Sequence, residues 1–188
     1  MQAGDLQGVR VGIIVHDEFE QIEMTEPRKA LEQAGATVTL ISPVKGQVHG
    51  MNHSTRADSF NVDMSLDQAR PDQFDAVMLP GGALNADRLR MDEKAREFVR
   101  QFDREGKPIA AICHAPWLLV STGLAKGRHL TSYYTIQDDI RNAGGQWSDQ
   151  EVIRDRNLVT SRQPSDIPAF NREMIQLFAE GARQRKAA

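Results

Sequence analysis

Apolar residues in this chain gather in short unbroken runs. Residues 10–15 read Arg-Val-Gly-Ile-Ile-Val, 37–41 Thr-Val-Thr-Leu-Ile, 75–80 Asp-Ala-Val-Met-Leu-Pro and 108–112 Pro-Ile-Ala-Ala-Ile. The first of these, with no alternating polar residues, describes a strand covered on both faces, and the others read as further strands. The segments between them predict helices. Thr25 as cap, Pro27 in the first turn and Gly35 as stop predict a helix over 25–34, and Gly106 closes another over 93–104. Further helices are predicted over 114–120, 136–142 and 168–181, and a hairpin over 151–161 that turns at Arg154-Asp-Arg-Asn157. From Ser42 to Asn61 the pattern dissolves into glycine, histidine and polar residues, a long loop or a small hairpin. Strand, helix and strand within some 30 residues make βαβ units. Their repetition predicts a three-layer α/β/α sandwich on a mostly parallel sheet.

Length and composition narrow the function classes. The 188 residues, 40% apolar and 26% charged, fit one domain spanning 1–188, with a core over about 9–180 and short flexible termini. A net charge of −3 gives no basic field for nucleic acid. No run approaches a membrane span and no charged-then-apolar leader opens the chain, which predicts a cytoplasmic protein. The basic ending Arg183-Gln-Arg-Lys186 reads as a solvated tail. One cysteine permits neither an internal disulfide nor a cysteine-based zinc site.

That cysteine, Cys113, lies where an apolar run meets a predicted helix. An isolated cysteine is by default a small core hydrophobe. Ala111 and Ala115, two residues to either side, copy the spacing of a strand-to-helix nucleophile elbow, and Pro116 suits the first turn of the helix. Proximity to the helix's positive end favours a thiolate, and His114 supplies an adjacent base or counter-ion. Gly81-Gly82 follows a strand directly and can bring N–H groups to a developing oxyanion, although a plain two-glycine turn fits as well. In the acidic cluster from Asp17 to Glu23 most carboxylates are expected in solvent. Glu23, just before the first predicted helix, is the one expected to face the strand ends, where sites gather in such sheets. His49 and His53 stand four apart, but Gly50 argues against the helix that would make them a metal pair. His16 and His129 read as structural.

Together Phe19-Glu-Gln-Ile-Glu23, Leu79-Pro-Gly-Gly82, Glu105-Gly-Lys-Pro108, Ala110-Ala-Ile-Cys-His-Ala-Pro116 and Thr131-Ser-Tyr133 resemble the PfpI branch of the ThiJ/PfpI superfamily. The resemblance spans about residues 9–180. It implies a flavodoxin-like, class I glutamine amidotransferase-like sandwich that forms a homodimer or a higher assembly of dimers. It also implies that Cys113 is the nucleophile, His114 its neighbouring base and Glu23 the acid on the sulfur. Tyr133 lines the site, with Gly81, Gly82 and Ala115 in the oxyanion and substrate-binding region. Asp87 falls where the branch carries an acidic residue, usually glutamate, that reaches the histidine of a neighbouring subunit. Here the residue is shorter, and the predicted loop from Gly82 to Asp87 is one residue longer than the branch pattern. Three activities are implied, none needing a cofactor or metal: a stress-response deglycase or glyoxalase acting on methylglyoxal, glyoxal or their early protein adducts, an intracellular cysteine protease, and a redox sensor or chaperone using Cys113 oxidation.

Overall fold

The computed structural model describes residues 5–187; residues 1–4 and 188, the ends of the predicted domain, lie outside it. In chain order the elements are β1 (Arg10–Ile14), β2 (Phe19–Glu20), α1 (Gln21–Gln33), β3 (Thr37–Ser42), β4 (Gln47–Asn52), β5 (Thr55–Asn61), β6 (Met64–Ser65), β7 (Ala76–Leu79), α2 (Ala83–Met91) and α3 (Glu93–Arg104). They continue with β8 (Ile109–Ile112), α4 (Pro116–Thr122), β9 (His129–Leu130), α5 (Gln137–Asn142), β10 (Gln146–Trp147), β11 (Val152–Asp155), β12 (Leu158–Ser161) and α6 (Ile167–Ala187). The main sheet has seven strands in the order β11-β12-β8-β7-β1-β3-β6. Every pairing in it is parallel except that of β11 with β12, the predicted hairpin.

Strand residues alternate between two cores, which explains the unbroken runs. Val11, Ile13, Ala76, Met78, Ala110 and Ile112 face one side, with Met24 and Leu31 of α1 and Phe170, Met174 and Phe178 of α6. Ile14, Val77, Leu79, Ile109 and Ala111 face the other, with Phe98 and Phe102 of α3, Leu118 and Leu119 of α4 and Ile140 of α5. Period-two alternation with apolar residues on both faces gives the predicted three layers. Each fully buried Leu, Ile or Phe contributes about 1.5–3 kcal/mol. The chain thus has a mostly parallel central sheet with helices on both sides, a flavodoxin-like arrangement.

Several boundaries depart from expectation. The 42–61 segment is not among them: it takes the hairpin of its two expected readings, β4 against β5, which joins β2 in a small second sheet. Helix α1 starts at Gln21, not Thr25; Thr25 Oγ1 donates to Gln21 O at 3.1 Å inside the helix, and Pro27 also lies inside. The span from Gly82 to Asp87 is mostly the opening of α2, not a loop. The carboxyl end is helical through Ala187, not a tail. Gly181 does not stop α6: a Cβ there would stand 2.5 Å from Pro108 Cγ, so the glycine permits close packing, and the Ala, Arg, Gln and Lys beyond it are good helix formers. Among the described residues no helix is long and apolar enough to cross a membrane.

Candidate active site

The carboxyl ends of β1, β7 and β8 bring three segments together. Cys113 follows β8 with φ 64°, left-handed backbone that costs a non-glycine residue about 1–3 kcal/mol. The surroundings hold it there. Cys113 N–H donates to Ser161 O at 3.0 Å, Cys113 O accepts from Tyr133 N–H at 2.8 Å, and Ala115 N–H closes the turn on Ile112 O at 3.1 Å. Ala111 and Ala115 are buried behind the elbow in the core shared with α3 and α4. Ala115 therefore serves the turn, with its amide already committed. The bent backbone also overcomes the usual divergence of adjacent side chains: His114 Nδ1 lies 3.2 Å from Cys113 Sγ.

Glu23 sits in the first turn of α1 and is 0% exposed. Gly81 N–H donates to its Oε2 at 3.0 Å, its Oε1 is buried without a hydrogen-bond partner among the described residues, and the Cys113 side chain lies beside the carboxyl. A Cβ on Gly81 would run into Glu23 Oε2 and stand 2.6 Å from Cys113 Cβ, so only glycine lets the three groups meet. Gly82 has φ 91°, and a Cβ there would stand 2.6 Å from Glu20 N. The buried Asn85 pins this turn. Its Nδ2 donates to Pro80 O and Gly81 O at 3.0 and 2.9 Å, while its Oδ1 accepts from His16 N–H at 2.6 Å. Gly81's amide is thus spent on Glu23. The N–H groups that act on the sulfur are those of Gly82 and His114, whereas the expected Gly81 N–H is already engaged.

Burial dominates the electrostatics. It raises the Glu23 carboxyl to about 8; the charge of Glu20 adds to the rise, and the Cys113 side chain and the Gly81 hydrogen bond oppose it. Burial also pushes the Cys113 thiol well above its ordinary value, with the charge on Glu23 adding, while the Gly82 and His114 amides pull the other way. The expected helix-end stabilisation of a thiolate does not offset desolvation here: α4 begins only at Pro116, beyond the elbow. Burial lowers His114, so its imidazole stays neutral and able to accept a proton.

The remaining expected residues divide. Tyr133 stacks on the His114 ring at 4.9 Å, and Trp117 meets that ring edge-on at 5.4 Å. His114 Nε2 lies 3.4 Å from Thr135 Oγ1. Asp87 is exposed on α2, and no carboxylate among the described residues hydrogen-bonds or ion-pairs with His114. His49 pairs with Asp17 at 3.0 Å, whereas His53 stands in a turn with its side chain 82% exposed, so the two diverge. Among the described residues no group of three or more His, Cys, Asp or Glu could hold a metal ion. His16 and His129 are held locally, His16 Nδ1 by Asp17 N–H and His129 Nε2 by Ser148 Oγ. Sequence reasoning misses Asn85, Trp117 and Thr135, whose roles depend on distant backbone. It also puts Glu20 in solvent, where the structure buries it at the pocket wall. The pocket above Cys113 has a volume of about 390 Å³.

The chain matches the DJ-1/PfpI family model over residues 9–177. It is 44% identical over 162 residues to Deglycase PfpI of Pyrococcus furiosus, covering 86% of this chain and 95% of that protein. It is 39% identical over 169 residues to YraA of Bacillus subtilis, provisionally named a cysteine protease, covering 90% of this chain and 98% of the relative. Among solved structures it is similar to Drosophila melanogaster DJ-1beta, with TM-score 0.82 and 28% identity, covering 96% of this chain and 98% of that one.

Proposed function

The chain belongs to the DJ-1/PfpI family, and we propose that it is a cofactor-independent cysteine hydrolase of the deglycase or glyoxalase kind. On this reading it acts in the cytoplasm, in stress response, on methylglyoxal, glyoxal or their early protein adducts. The observation that carries it is the fully buried Glu23 carboxyl set beside the strained Cys113 at the floor of a compact pocket. A buried carboxylic acid that still holds its proton at neutral pH can move protons between adjacent carbon and oxygen atoms, as the conversion of a dicarbonyl to a hydroxy acid requires.

The thiol proton passes to His114 Nδ1 across 3.2 Å as Sγ attacks the aldehyde carbon. The S–C bond forms, and the C=O π electrons move to the oxygen. That oxygen receives hydrogen bonds from Gly82 and His114 N–H and then the proton from the imidazolium, giving a hemithioacetal. A proton next moves from the sulfur-bearing carbon to the neighbouring carbonyl carbon, and the hydroxyl proton moves to that carbonyl's oxygen; the Glu23 carboxyl gives one proton to the carbonyl oxygen as it takes another, is restored to its acid form at the end, and a thioester is left. Water cleaves the S–C bond, regenerates the thiol and releases the hydroxy acid; the net reaction is methylglyoxal plus water to lactic acid. In an amine adduct the C–N bond breaks as the S–C bond forms, and the amine leaves with a proton.

Peptide hydrolysis by the same thiol would ask more of His114, which must protonate a poor leaving group. A carboxylate to orient the imidazole would have to come from a second copy of the chain, the role proposed for Asp87 in a homodimer. With purified protein and no added thiol, Cys113→Ala should abolish methylglyoxal consumption. Turnover retained in that variant would overturn the nucleophile assignment.

A further inference from the structure

Beside the active-site pocket lies a second one of about 400 Å³, and the two share Glu20, His53 and Pro164. Glu20 stands at their junction. Its side chain is 12% exposed. Its two carboxylate oxygens accept from a single neutral donor, His53 N–H, at 3.3 and 3.2 Å, and the His53 ring reaches no closer than 3.9 Å. A carboxylate offers about four acceptor sites, so most of its capacity faces the pockets unused. No lysine or arginine lines either pocket. The second pocket also offers apolar surface, Ile22 and Met51, before it reaches Glu20. A site with one lightly satisfied carboxylate, no cation and an apolar approach is complementary to a cationic head on an aliphatic stem. A three-carbon dicarbonyl leaves most of this space unfilled.

We propose that Glu20 is the specificity-determining residue of the site, receiving the cationic nitrogen group of an arginine-borne dicarbonyl adduct while the adduct carbon lies against Cys113 Sγ. This rests on the deglycase reading and deepens it, because it selects cationic adducts over free dicarbonyls and neutral ones. A guanidinium matches the geometry: its planar fork donates two parallel hydrogen bonds to one carboxylate, and alkylation at nitrogen leaves the cation in place. The stem lies along Ile22 and Met51.

Two measurements test it separately from the parent reading. The first is kcat/KM for the methylglyoxal adduct of N-acetylarginine relative to that for free methylglyoxal. In Glu20→Gln this ratio should fall by about tenfold to a hundredfold, mainly through KM, and Glu20→Asp should recover part of it. An unchanged ratio overturns the proposal. The second needs no turnover: the rate at which iodoacetamide alkylates Cys113, followed by intact mass. N-acetylargininamide should slow alkylation of the wild-type protein, whereas its neutral isostere N-acetylcitrullinamide should not. Equal protection by both, or by neither, overturns the cation site even in an active deglycase. Selective protection in a protein that turns over no adduct would uphold the cation site and overturn the deglycase reading instead.

Discussion

Replacing Glu23 by glutamine keeps the side chain's shape and an acceptor for Gly81 N–H, and it removes a proton that the folded and unfolded chains bind very differently. Folded, the carboxyl holds its proton up to about pH 8; unfolded, it releases it near 4.5. Between those values the folded state carries one proton more. Stability from this group is therefore fully present below the unfolded value and is lost as pH rises through the folded one, at about 1.4 kcal/mol per pH unit. The ceiling over the window is about 5 kcal/mol, approached because Glu23 is fully buried and unscreened. Glu23→Gln has no such loss. Urea unfolding followed by fluorescence of Trp117 and Trp147 at about pH 5, 6.5 and 8 should show the variant gaining on the wild type by several kcal/mol from the lowest to the highest pH. A difference constant within about 0.5 kcal/mol across that range would refute the argument that burial holds a proton on this carboxyl.

Gly81→Ala drives a Cβ into Glu23 and Cys113; it should lower the urea-derived stability by about 2–4 kcal/mol, and a loss under about 0.5 kcal/mol would show that the turn is not close-packed. Because burial lowers His114, the neutral base persists to more acid pH than an ordinary histidine. The acid limb of kcat/KM for methylglyoxal should accordingly lie below 6.5, with activity lost as pH falls through the depressed value; a limb at or above 6.5 would contradict His114 as that base. If Asp87 acts across subunits, chains carrying Asp87→Ala and Cys113→Ala, refolded together, should recover part of the activity that Asp87→Ala lacks. A mixture no more active than Asp87→Ala alone would exclude that role.

The parallel sheet is legible in the sequence because both its faces are buried: Ile13 and Ile14 enter opposite cores, and the run stays apolar. The elbow is legible too, since Ala111, Ala115 and Pro116 are local steric requirements of the turn that Cys113 makes. Helix α2 is not. It buries Asn85 while exposing Leu84 and Met91, so its polar and apolar positions run against the amphipathic pattern and do not advertise a helix around Asp87. Asn85 is buried because it satisfies backbone groups of Pro80, Gly81 and His16, none of which its own neighbours in sequence disclose. The start of α1 at Gln21 was hidden similarly, because Thr25 and Pro27 advertise a helix start that lies four residues upstream.

The charge state of Cys113 illustrates the same division between local and distant causes. Local sequence places the cysteine before a helix and favours a thiolate, but the long-range fact of burial raises the proton affinity of both sulfur and Glu23. The two groups lie side by side and each shifts the other, so they titrate as a pair rather than as separate atoms. Two amides, Gly82 and His114, face the sulfur, against one, Gly81, for the carboxyl. Burial outweighs these amides, so both groups keep their protons near neutral pH and the thiol proton leaves only as Sγ attacks, to His114 Nδ1 at 3.2 Å. Nucleophilicity then depends on His114 as the base at the moment of attack, and Glu23, kept neutral by burial, spares the sulfur the negative charge that would oppose loss of its proton.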